Sequence, residues 1–557
     1  MACAPPPPTE PEIAVLVVLT EPDARWLRAS LRSIVGQSSA HWRLSVTAVG
    51  PLEPEIDAVV HEELAALAPG RAVLHALPAR TPTASCAAAA LEAGTSPAFL
   101  LAGQHDRLAP DAIALLASAL IDADVAYADE DWTDDAAGLG RDPVLKPDWS
   151  PDLALSWCYT GRPIAYRVAP VIAAGGIQPL PGGDWEHDVL LRVTERTDRV
   201  AHVAEVLCHR RPLRDPGERC AGGPAAVTAA LDRRREEAEV VAGPLAGTWR
   251  VVRRVRPSCS VSAIVPFRDS ARLLRACVDS VESTTGGGVD VQLVLVDNGS
   301  SDPETLTLVE RLAERPWVEV RRDPRPFNWP ALNNAAVEGA RGDVLLFLND
   351  DVEATRPGWL EALAAQALRP DVGAVGARLL YPSGRVQHAG VVVGLAGVTG
   401  HVLAGLPADR PGYLGLAVLT RDVSAVTGAC MATRRDVFDR LGGFDEGLGL
   451  DFNDIDYCLR ARQRGLRVLY EPAAELVHHE SPSRGSSGSA GDARAFVDRW
   501  GEAITAGDPF FNRNLSRVDF SAALAGPEER TGPDDWTGPY ALAGPRERTG
   551  PDERESW

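Results

Sequence analysis

An α/β protein with two tandem domains, each built on a mostly parallel sheet, is predicted for this chain of 557 residues. Short runs of Val, Leu and Ala alternate with helical stretches from Ile13 to about Arg211, as in successive βαβ units. The same alternation restarts at Val261, which predicts a second domain of similar construction. A chain of this length is too long for one hydrophobic core, in agreement with more than one domain.

The first predicted domain, residues 12–211, follows a Pro-rich leader at residues 1–11. Apolar runs bounded by turn-forming residues predict its strands, and apolar residues spaced three and four apart predict its first helix. In chain order the predicted elements are strand Ile13–Leu19, helix Ala24–Val35, strand Arg43–Val49 and strand Ala98–Ala102.

A connector at residues 212–258 joins the two predicted domains, with a charged helix predicted over Ala225–Val240 and a strand over Trp249–Val255. The second domain is predicted over residues 259–522. Residues 523–557 contain Ala-Leu-Ala-Gly-Pro-x-Glu-Arg-Thr-Gly-Pro-Asp twice. Because few of these residues can form a core, we predict that this tail is disordered.

The two domains share short stretches of sequence, which indicates an internal duplication. Trp26–Ser33 parallels Leu273–Ser280, and Glu186–Arg192 parallels Asp454–Arg460. A duplication on this scale predicts two domains of one fold in tandem.

The overall composition limits the partners and the compartment. A formal net charge of −21 argues against a nucleic-acid partner over most of the surface. The nine cysteines are scattered without metal-binding spacing, which favours reduced thiols in a cytoplasm. No apolar run approaches the roughly 20 residues of a membrane-spanning helix. We therefore expect a cytoplasmic protein, working at the inner membrane face without being anchored in it.

Two buried strands of the second domain end in carboxylates. Val294–Val296 leads into Asp297, and Leu345–Leu348 leads into Asn349, Asp350 and Asp351. The carboxyl ends of parallel strands form the edge where α/β sheets bind ligands. Adjacent carboxylates at such an edge can hold Mg²⁺ or Mn²⁺ against a diphosphate. Taken singly, each also fits an ordinary turn or helix cap.

A helix that begins with acids and a later histidine pair complete the pattern. Asp454 and Asp456 open a helix predicted to continue through Arg464, and Asp454 is the better candidate for a general base. Helix capping alone is the competing explanation, particularly for Asp456. His478 follows a short strand, where an imidazole could complete a metal shell, although single histidines are usually structural.

The order of these motifs resembles that of a family 2 glycosyltransferase with the GT-A fold, over residues 261–520. Within that family the chain is similar to large tandem-domain bacterial rhamnosyltransferases and O-antigen-type polysaccharide glycosyltransferases. The motifs that carry the resemblance are Ile264–Asp269, Val296–Asp302, Phe327–Trp329, Leu348–Asp351, Gln387–Gly390, Thr427–Cys430, Gly442–Glu446, Asn453–Asp456, His478–Ser481 and Asp508–Asn512.

The resemblance implies inverting transfer of a sugar from a nucleoside-diphosphate donor, with Asp454 as catalytic base. The implied metal ligands for Mg²⁺ or Mn²⁺ are Asp351 and His478. One departure is Asn349, which replaces the first acid of the usual Asp-x-Asp and removes one charge near the metal. The implied nucleotide-binding residues are Pro266, Asp269, Asp297 and Asp350, and the candidate substrate contacts are Asn349, His388, Asp456 and Arg460.

The first domain resembles the same fold but lacks several of these residues. Val49-Gly50 stands where a nucleotide-binding Asp is expected, and Gly103–Asp106 carries a single acid. Lys146 and His209 remain, as does Glu186 opposite Asp454. We interpret the first domain as a degenerate copy that serves acceptor binding or assembly.

The predicted function is therefore metal-dependent, inverting transfer of a hexosyl group in cell-wall or surface polysaccharide biosynthesis. The expected donor is dTDP-rhamnose, with UDP- and GDP-sugars as the alternatives. The expected acceptor is a hydroxyl of a cell-surface polysaccharide or a lipid-linked glycan. The alternative is a non-catalytic nucleotide-sugar or glycan-binding component of a polysaccharide assembly. The carboxylates that the first domain lacks are present in the second, which favours the enzyme.

Overall fold

The computed structural model describes residues 10–134, 140–182, 184–211, 224–256, 258–286, 288–480, 489–526 and 529. Most of the predicted leader and most of the predicted tail lie outside these residues. Among the residues so described, none of the helices is both long and apolar enough to span a bilayer.

The first half alternates strands and helices as its apolar runs predict. Its elements are β1 Ile13–Leu19, α1 Ala24–Val35, β2 Trp42–Val49, α2 Pro54–Ala65, β3 Ala72–Leu77, α3 Thr83–Ala93, β4 Ala98–Ala102, β5 Arg107–Leu108, α4 Ala112–Ala119, β6 Val125–Trp132, β7 Arg141–Val144, α5 Pro151–Ser156, β8 Ile164–Arg167, α6 Val168–Ala173, α7 Trp185–Thr194 and β9 Val200–Arg210.

Between the halves lie α8 Ala225–Arg234, β10 Ala238–Ala242 and β11 Trp249–Arg253. The predicted helix over Ala225–Val240 is therefore wrong beyond Arg234. Arg235 adopts a left-handed conformation that ends the helix, and the following β-branched residues pair antiparallel with β11 instead.

The second half repeats the alternation around a second sheet. Its elements are β12 Ser260–Phe267, α9 Ala271–Thr284, β13 Asp290–Asp297, α10 Pro303–Ala313, β14 Val318–Arg322, α11 Trp329–Val337, β15 Val344–Leu348, β16 Val352–Ala354, α12 Trp359–Ala367, β17 Val372–Leu380, β18 Val386–His388, β19 Val391–Val393, β20 Thr399–His401, β21 Arg421–Asp422, β22 Cys430–Arg434, α13 Arg435–Leu441, α14 Asn453–Gln463, β23 Arg467–His478 and α15 Ala490–Ala506.

The two main sheets have the same strand order, which matches the predicted duplication. The first runs β3-β2-β1-β4-β8-β6-β9-β5, and the second runs β14-β13-β12-β15-β22-β17-β23-β16. In each, the first four strands are parallel and the fifth is antiparallel to its neighbours. The predicted fold class, two tandem α/β halves with mostly parallel sheets, is confirmed.

The central strands are buried on both faces, because helices cover each sheet from both sides. All five residues of β15 are buried, which explains its uninterrupted apolar run. Separate apolar cores lie on the two faces of each sheet. Leu419 of the second half packs into a core of the first, so the halves share apolar contact.

Candidate functional site

A cleft of about 410 Å³ opens in the second half where the chain leaves β15. Strand β12 lies between β13 and β15, so the two acid-bearing strands flank it rather than pair with each other. Side chains from separate loops and strands converge on the cleft. Those with polar groups include Asn349, Gln387, His401, Asp454, His478 and Glu480.

Asp454 lies in the first turn of α14 and lines the cleft. Its Oδ2 accepts a hydrogen bond of 2.6 Å from the backbone N–H of Gly428, and its Oδ1 accepts one of 2.8 Å from Ile455 N–H. These bonds fix the carboxylate beside the positive end of the helix dipole. A carboxylate fixed at a cleft wall can accept the proton of a bound hydroxyl.

Asp351 and His478 meet because β16 pairs with β23, in a register that sets Val352 opposite His478. His478 Nδ1 lies 2.6 Å from Oε1 of Gln387, an atom that only accepts, so Nδ1 carries a proton. His478 Nε2 lies 3.1 Å from Asp351 Oδ1. This imidazole nitrogen and carboxylate oxygen face each other across a gap that suits a cation.

The chemistry of this pair fits a divalent metal ion. Two ligands at right angles, each about 2.0–2.1 Å from an Mg²⁺ ion, lie roughly 3 Å apart. The Nδ2 of Asn349 lies 3.5 Å from His478 Nε2, so the amide borders the same point. The described part of the chain contains no group of three or more His, Cys, Asp or Glu side chains arranged to hold a metal. An ion bound here would therefore take its other ligands from water or from phosphate oxygens.

The predicted nucleotide-binding residues lie at the carboxyl ends of β12 and β13 and just beyond β15. Pro266 is buried within β12. Asp297 Oδ1 accepts the N–H of Ser300 at 2.7 Å, and its Oδ2 lies 3.5 Å from Arg322 Nη1. Asp297 therefore also stabilises the turn after β13, which is the structural role that the sequence left open for it.

The remaining two predicted nucleotide-binding acids tie neighbouring loops together. Asp269 accepts the N–H groups of Ser301 and Asp302 at 2.7 and 2.8 Å, and these backbone hydrogen bonds lower the pKa of Asp269. Asp350 accepts a hydrogen bond from the hydroxyl of Ser270. The loops after β12, β13 and β15 are thus joined at one edge of the sheet.

Three predicted substrate contacts, Asp456, Arg460 and His388, are not among the residues that line this cleft. Asp456 is fully buried and binds Arg460 Nε at 2.7 Å, Arg499 Nη1 at 2.7 Å and Trp500 Nε1 at 3.0 Å. The other two nitrogens at the head of Arg460 bind the carbonyls of Leu441 and Gly443. These residues tie α13, α14 and α15 together.

The third of these predicted substrate contacts is His388, whose ring is fully buried behind His401. The two Nδ1 atoms lie 3.2 Å apart, and only His401 lines the cleft. Burial, together with His401 and Arg421, holds the pKa of His388 well below its usual range.

The equivalent place in the first half is bridged by an arginine. Arg107 pairs with His209 as Val352 pairs with His478, so Asp106 is the counterpart of Asp351. Glu186, the counterpart of Asp454, forms an ion pair with Arg162, whose Nη1 lies 3.3 Å from Asp106. The guanidinium of Arg162 therefore binds both Glu186 and Asp106, the counterparts of the candidate base and of the candidate metal-binding carboxylate.

Sequence reasoning missed Gln387 as a support for His478, His401 as a cleft residue, and Arg162. Gln387 belongs to one of the motifs that carry the family resemblance, but the sequence predicted no role for it. Neither His401 nor Arg162 had a sequence signal, because their significance depends on loops brought together by the fold.

Comparison with known proteins agrees with this arrangement. The model of glycosyl transferase family 2 matches residues 262–442. The O-antigen biosynthesis protein RfbC of Myxococcus xanthus is 36% identical over 91% of this chain and 40% of its own length. Protein y4gI of Sinorhizobium fredii is 36% identical over 92% of this chain and 58% of its own length.

The chain thus spans about half the length of these two relatives. The N-acetylglucosaminyl-diphospho-decaprenol L-rhamnosyltransferase of Mycobacterium tuberculosis is 30% identical over 35% of this chain and 68% of its own length. The chain belongs to glycosyl transferase family 2, and the predicted family is confirmed.

Proposed function

We propose that this chain transfers a glycosyl group from a nucleoside-diphosphate sugar to a hydroxyl group of a glycan or lipid-linked acceptor, with inversion at the anomeric carbon. The proposal rests mainly on one observation: Asp454 and His478, which pairs with Asp351, face a single cleft. A base and a metal-ligand pair around one cleft suit the departure of a diphosphate and the attack of a hydroxyl.

Asp454 takes the proton of the acceptor hydroxyl as its oxygen attacks the anomeric carbon of the donor. The bond between that carbon and the diphosphate oxygen breaks, and the nucleoside diphosphate leaves with the electron pair. Asp351 and His478 would hold Mg²⁺ or Mn²⁺, which when bound offsets the negative charge of the diphosphate. The hydrogen bond from Nδ1 of His478 to Gln387 orients the ring so that Nε2 faces Asp351.

The nucleotide would lie along the loops after β12 and β13, against Pro266 and the carboxylates of Asp269 and Asp297. Asp350 would lie near the ribose. Asn349 would border the diphosphate with a neutral amide. The hydrogen bonds that join these loops support this placement, because they hold the acidic groups ready at one edge.

We assign the transfer to the second half alone. In the first half Arg162 neutralises the counterparts of both the base and the metal-binding acid. Such a site offers neither a free base nor a cation-binding pair. We propose domain limits of 12–211 and 259–522, and the first domain would serve acceptor binding or assembly.

The names of the relatives support a role in polysaccharide assembly. One is an O-antigen biosynthesis protein, and another transfers L-rhamnose to N-acetylglucosaminyl-diphospho-decaprenol. We propose dTDP-rhamnose as the first donor to test, with UDP- and GDP-sugars next. A lipid-linked glycan at the inner membrane face, reached from the cytoplasm, is the proposed acceptor.

Calorimetric titration with UDP, dTDP and GDP, with and without Mn²⁺, tests this proposal. We expect one diphosphate to bind in a metal-dependent manner, and we expect Asp351→Ala to abolish the metal-dependent part. Asp290→Ala, at the exposed opposite end of β13, is the control and should bind like the unmodified chain. Binding of none of the three diphosphates with metal would favour a non-catalytic glycan-binding component instead.

A further inference from the structure

His401 is a cleft residue to which the proposed mechanism assigns no role. It lies at the end of β20, where the β19–β20 hairpin places Val391 opposite it, and its ring forms part of the cleft wall. Asp454 lines the same cleft, and its negative charge partly offsets the lowering of the pKa of His401 by burial. The ring is therefore within the electrostatic influence of the proposed base.

The orientation of the ring follows from its Nδ1 contacts. His401 Nδ1 lies 3.2 Å from the carbonyl oxygen of Gln387 and 3.2 Å from Nδ1 of His388. Because a carbonyl oxygen only accepts, Nδ1 of His401 is the protonated nitrogen. Nε2 lies on the opposite edge of the ring and carries the lone pair.

The surroundings keep this imidazole neutral. Burial lowers the pKa of His401, which the Asp454 carboxylate partly offsets. Behind it, His388 is packed at a ring-centroid distance of 4.9 Å and 73° between the ring planes. These contacts hold His401 in one position, so that Nε2 can act as a fixed hydrogen-bond acceptor at the cleft wall.

We infer that His401 is an acceptor-binding residue, whose Nε2 accepts a hydrogen bond from a hydroxyl of the acceptor sugar next to the one that Asp454 deprotonates. Gln387 would then serve both sides of the reaction. Its side-chain oxygen orients His478 toward the metal position, and its backbone oxygen orients His401 toward the acceptor. This inference rests on the proposed function, since it assigns an acceptor sugar to the same cleft.

Two substitutions separate the roles of the two ring nitrogens. In His401→Asn the amide nitrogen can replace Nδ1 and still donate to Gln387, but nothing replaces Nε2. In His401→Gln the longer amide reaches the Nε2 position and leaves the Nδ1 position vacant. Transfer kinetics would use dTDP-rhamnose and, as acceptor, N-acetylglucosaminyl diphosphate on a short polyprenol.

We expect His401→Asn to raise the acceptor KM about 3- to 10-fold, the effect of losing one hydrogen bond. We expect His401→Gln to stay close to the unmodified chain, and the Kd of the nucleoside diphosphate to change in neither variant. The inference would be overturned if His401→Asn were normal while His401→Gln failed, because only the Nδ1 contact would then matter. A changed nucleoside-diphosphate Kd in both variants would also overturn it, by placing His401 at the donor.

Labelling with diethyl pyrocarbonate provides a readout that requires no turnover. The reagent modifies neutral, accessible imidazole nitrogens, so mass spectrometry should find an adduct on His401 and none on the fully buried His388. An unlabelled His401 would overturn this inference but would leave the proposed function intact. Failure of the unmodified chain to bind or use any nucleotide donor would instead count against the proposed function.

Discussion

Asp454 differs from its counterpart Glu186 in what binds the carboxylate. Asp454 accepts two backbone N–H groups and otherwise opens to the cleft, whereas Glu186 is held by the charged side chain of Arg162. Backbone donors orient a carboxylate without neutralising it, but the guanidinium of Arg162 offsets the charge of Glu186 and binds both of its oxygens. The same chemical group can thus be a base in one half and a structural partner in the other.

This difference predicts opposite outcomes for matched substitutions. Asp454→Asn should reduce turnover by about 10²–10⁴-fold if Asp454 is the general base, because the amide cannot accept the proton. Glu186→Gln should leave turnover unchanged, since we assign no transfer to the first half. Steady-state rates at saturating donor and acceptor provide the measurement. Near-normal turnover in Asp454→Asn would exclude this residue as the base.

At the scale of single elements, much of the fold could be predicted from apolar periodicity. The bounds of β1, α1 and β4 match the prediction, and β2 is one residue longer. Uninterrupted apolar runs and amphipathic spacing are local properties, so local reasoning finds them. The helix predicted over Ala225–Val240 failed because strand pairing with β11, a tertiary contact, overrides helix propensity after Arg234.

The candidate site was predictable only in part, for the same reason. Asp351, Asp454 and His478 were predicted from their order along the chain, and the structure brings their elements around one cleft. The burial of His388 and Asp456 was not predictable, because it depends on packing against β20 and α15. The position of Arg162 depends on the pairing of distant strands, which no local pattern records.

Strand β6 of the first half carries an acidic motif whose side chains are buried and paired with basic groups. All of its residues are buried, and its three consecutive acids each have basic partners. Asp129 binds His202 at 2.9 Å, and Asp131 binds His209 at 2.6 Å. Glu130 contacts Lys146 at 3.2 Å and Arg210 at 3.0 Å, so the strand depends on charge pairing for its stability.

The acids of β6 predict an acid-sensitive first half. Burial alone would raise the pKa of Glu130, but Lys146 and Arg210 bring it down to about 2, against 4.5 in the unfolded chain. A lowered folded pKa gives stability that is present above pH 4.5 and lost as the pH falls toward 2. The shift corresponds to about 3 kcal/mol.

We therefore expect the urea midpoint to fall between pH 5 and pH 3, and Glu130→Gln should reduce that fall. Glu55→Gln, an exposed control, should behave like the unmodified chain. An equally steep fall in Glu130→Gln would show that other groups cause it.

At the scale of the whole molecule, a buried ion cluster joins the two halves. The Oδ1 and Oδ2 atoms of Asp152 in α5 lie 2.7 and 2.9 Å from Arg369 Nη1. Asp152 also contacts Arg467 of β23 and Arg253 of β11. Ser150 adds a hydrogen bond of 2.7 Å to Asp422. Strand β23 carries Arg467 at one end and His478 at the other, so a contact with the first half supports the strand that reaches the proposed metal position.

Further contacts continue this interface. Asn512, in the segment after α15, donates to Asp129 Oδ2 and to the carbonyl of Lys146, both at 2.9 Å. Tyr413 donates its hydroxyl to the carbonyl of Pro143 at 3.0 Å. These buried contacts oppose separation of the two halves, because separation would leave polar and charged groups without their partners.

The cluster at Asp152 predicts that the two halves unfold together. Asp152→Asn leaves Arg369 and Arg467 without their shared buried carboxylate, which should lower the free energy of unfolding by about 3–5 kcal/mol. Asp371→Asn is the matched control, because Asp371 contacts the same two arginines but is 45% exposed. Urea unfolding followed by tryptophan fluorescence should show a single transition for the unmodified chain and for Asp371→Asn. Asp152→Asn should show an additional transition at a lower urea concentration, because its two halves no longer unfold together. Equal stabilities of the two variants would mean that the halves are held together mainly by their apolar contacts.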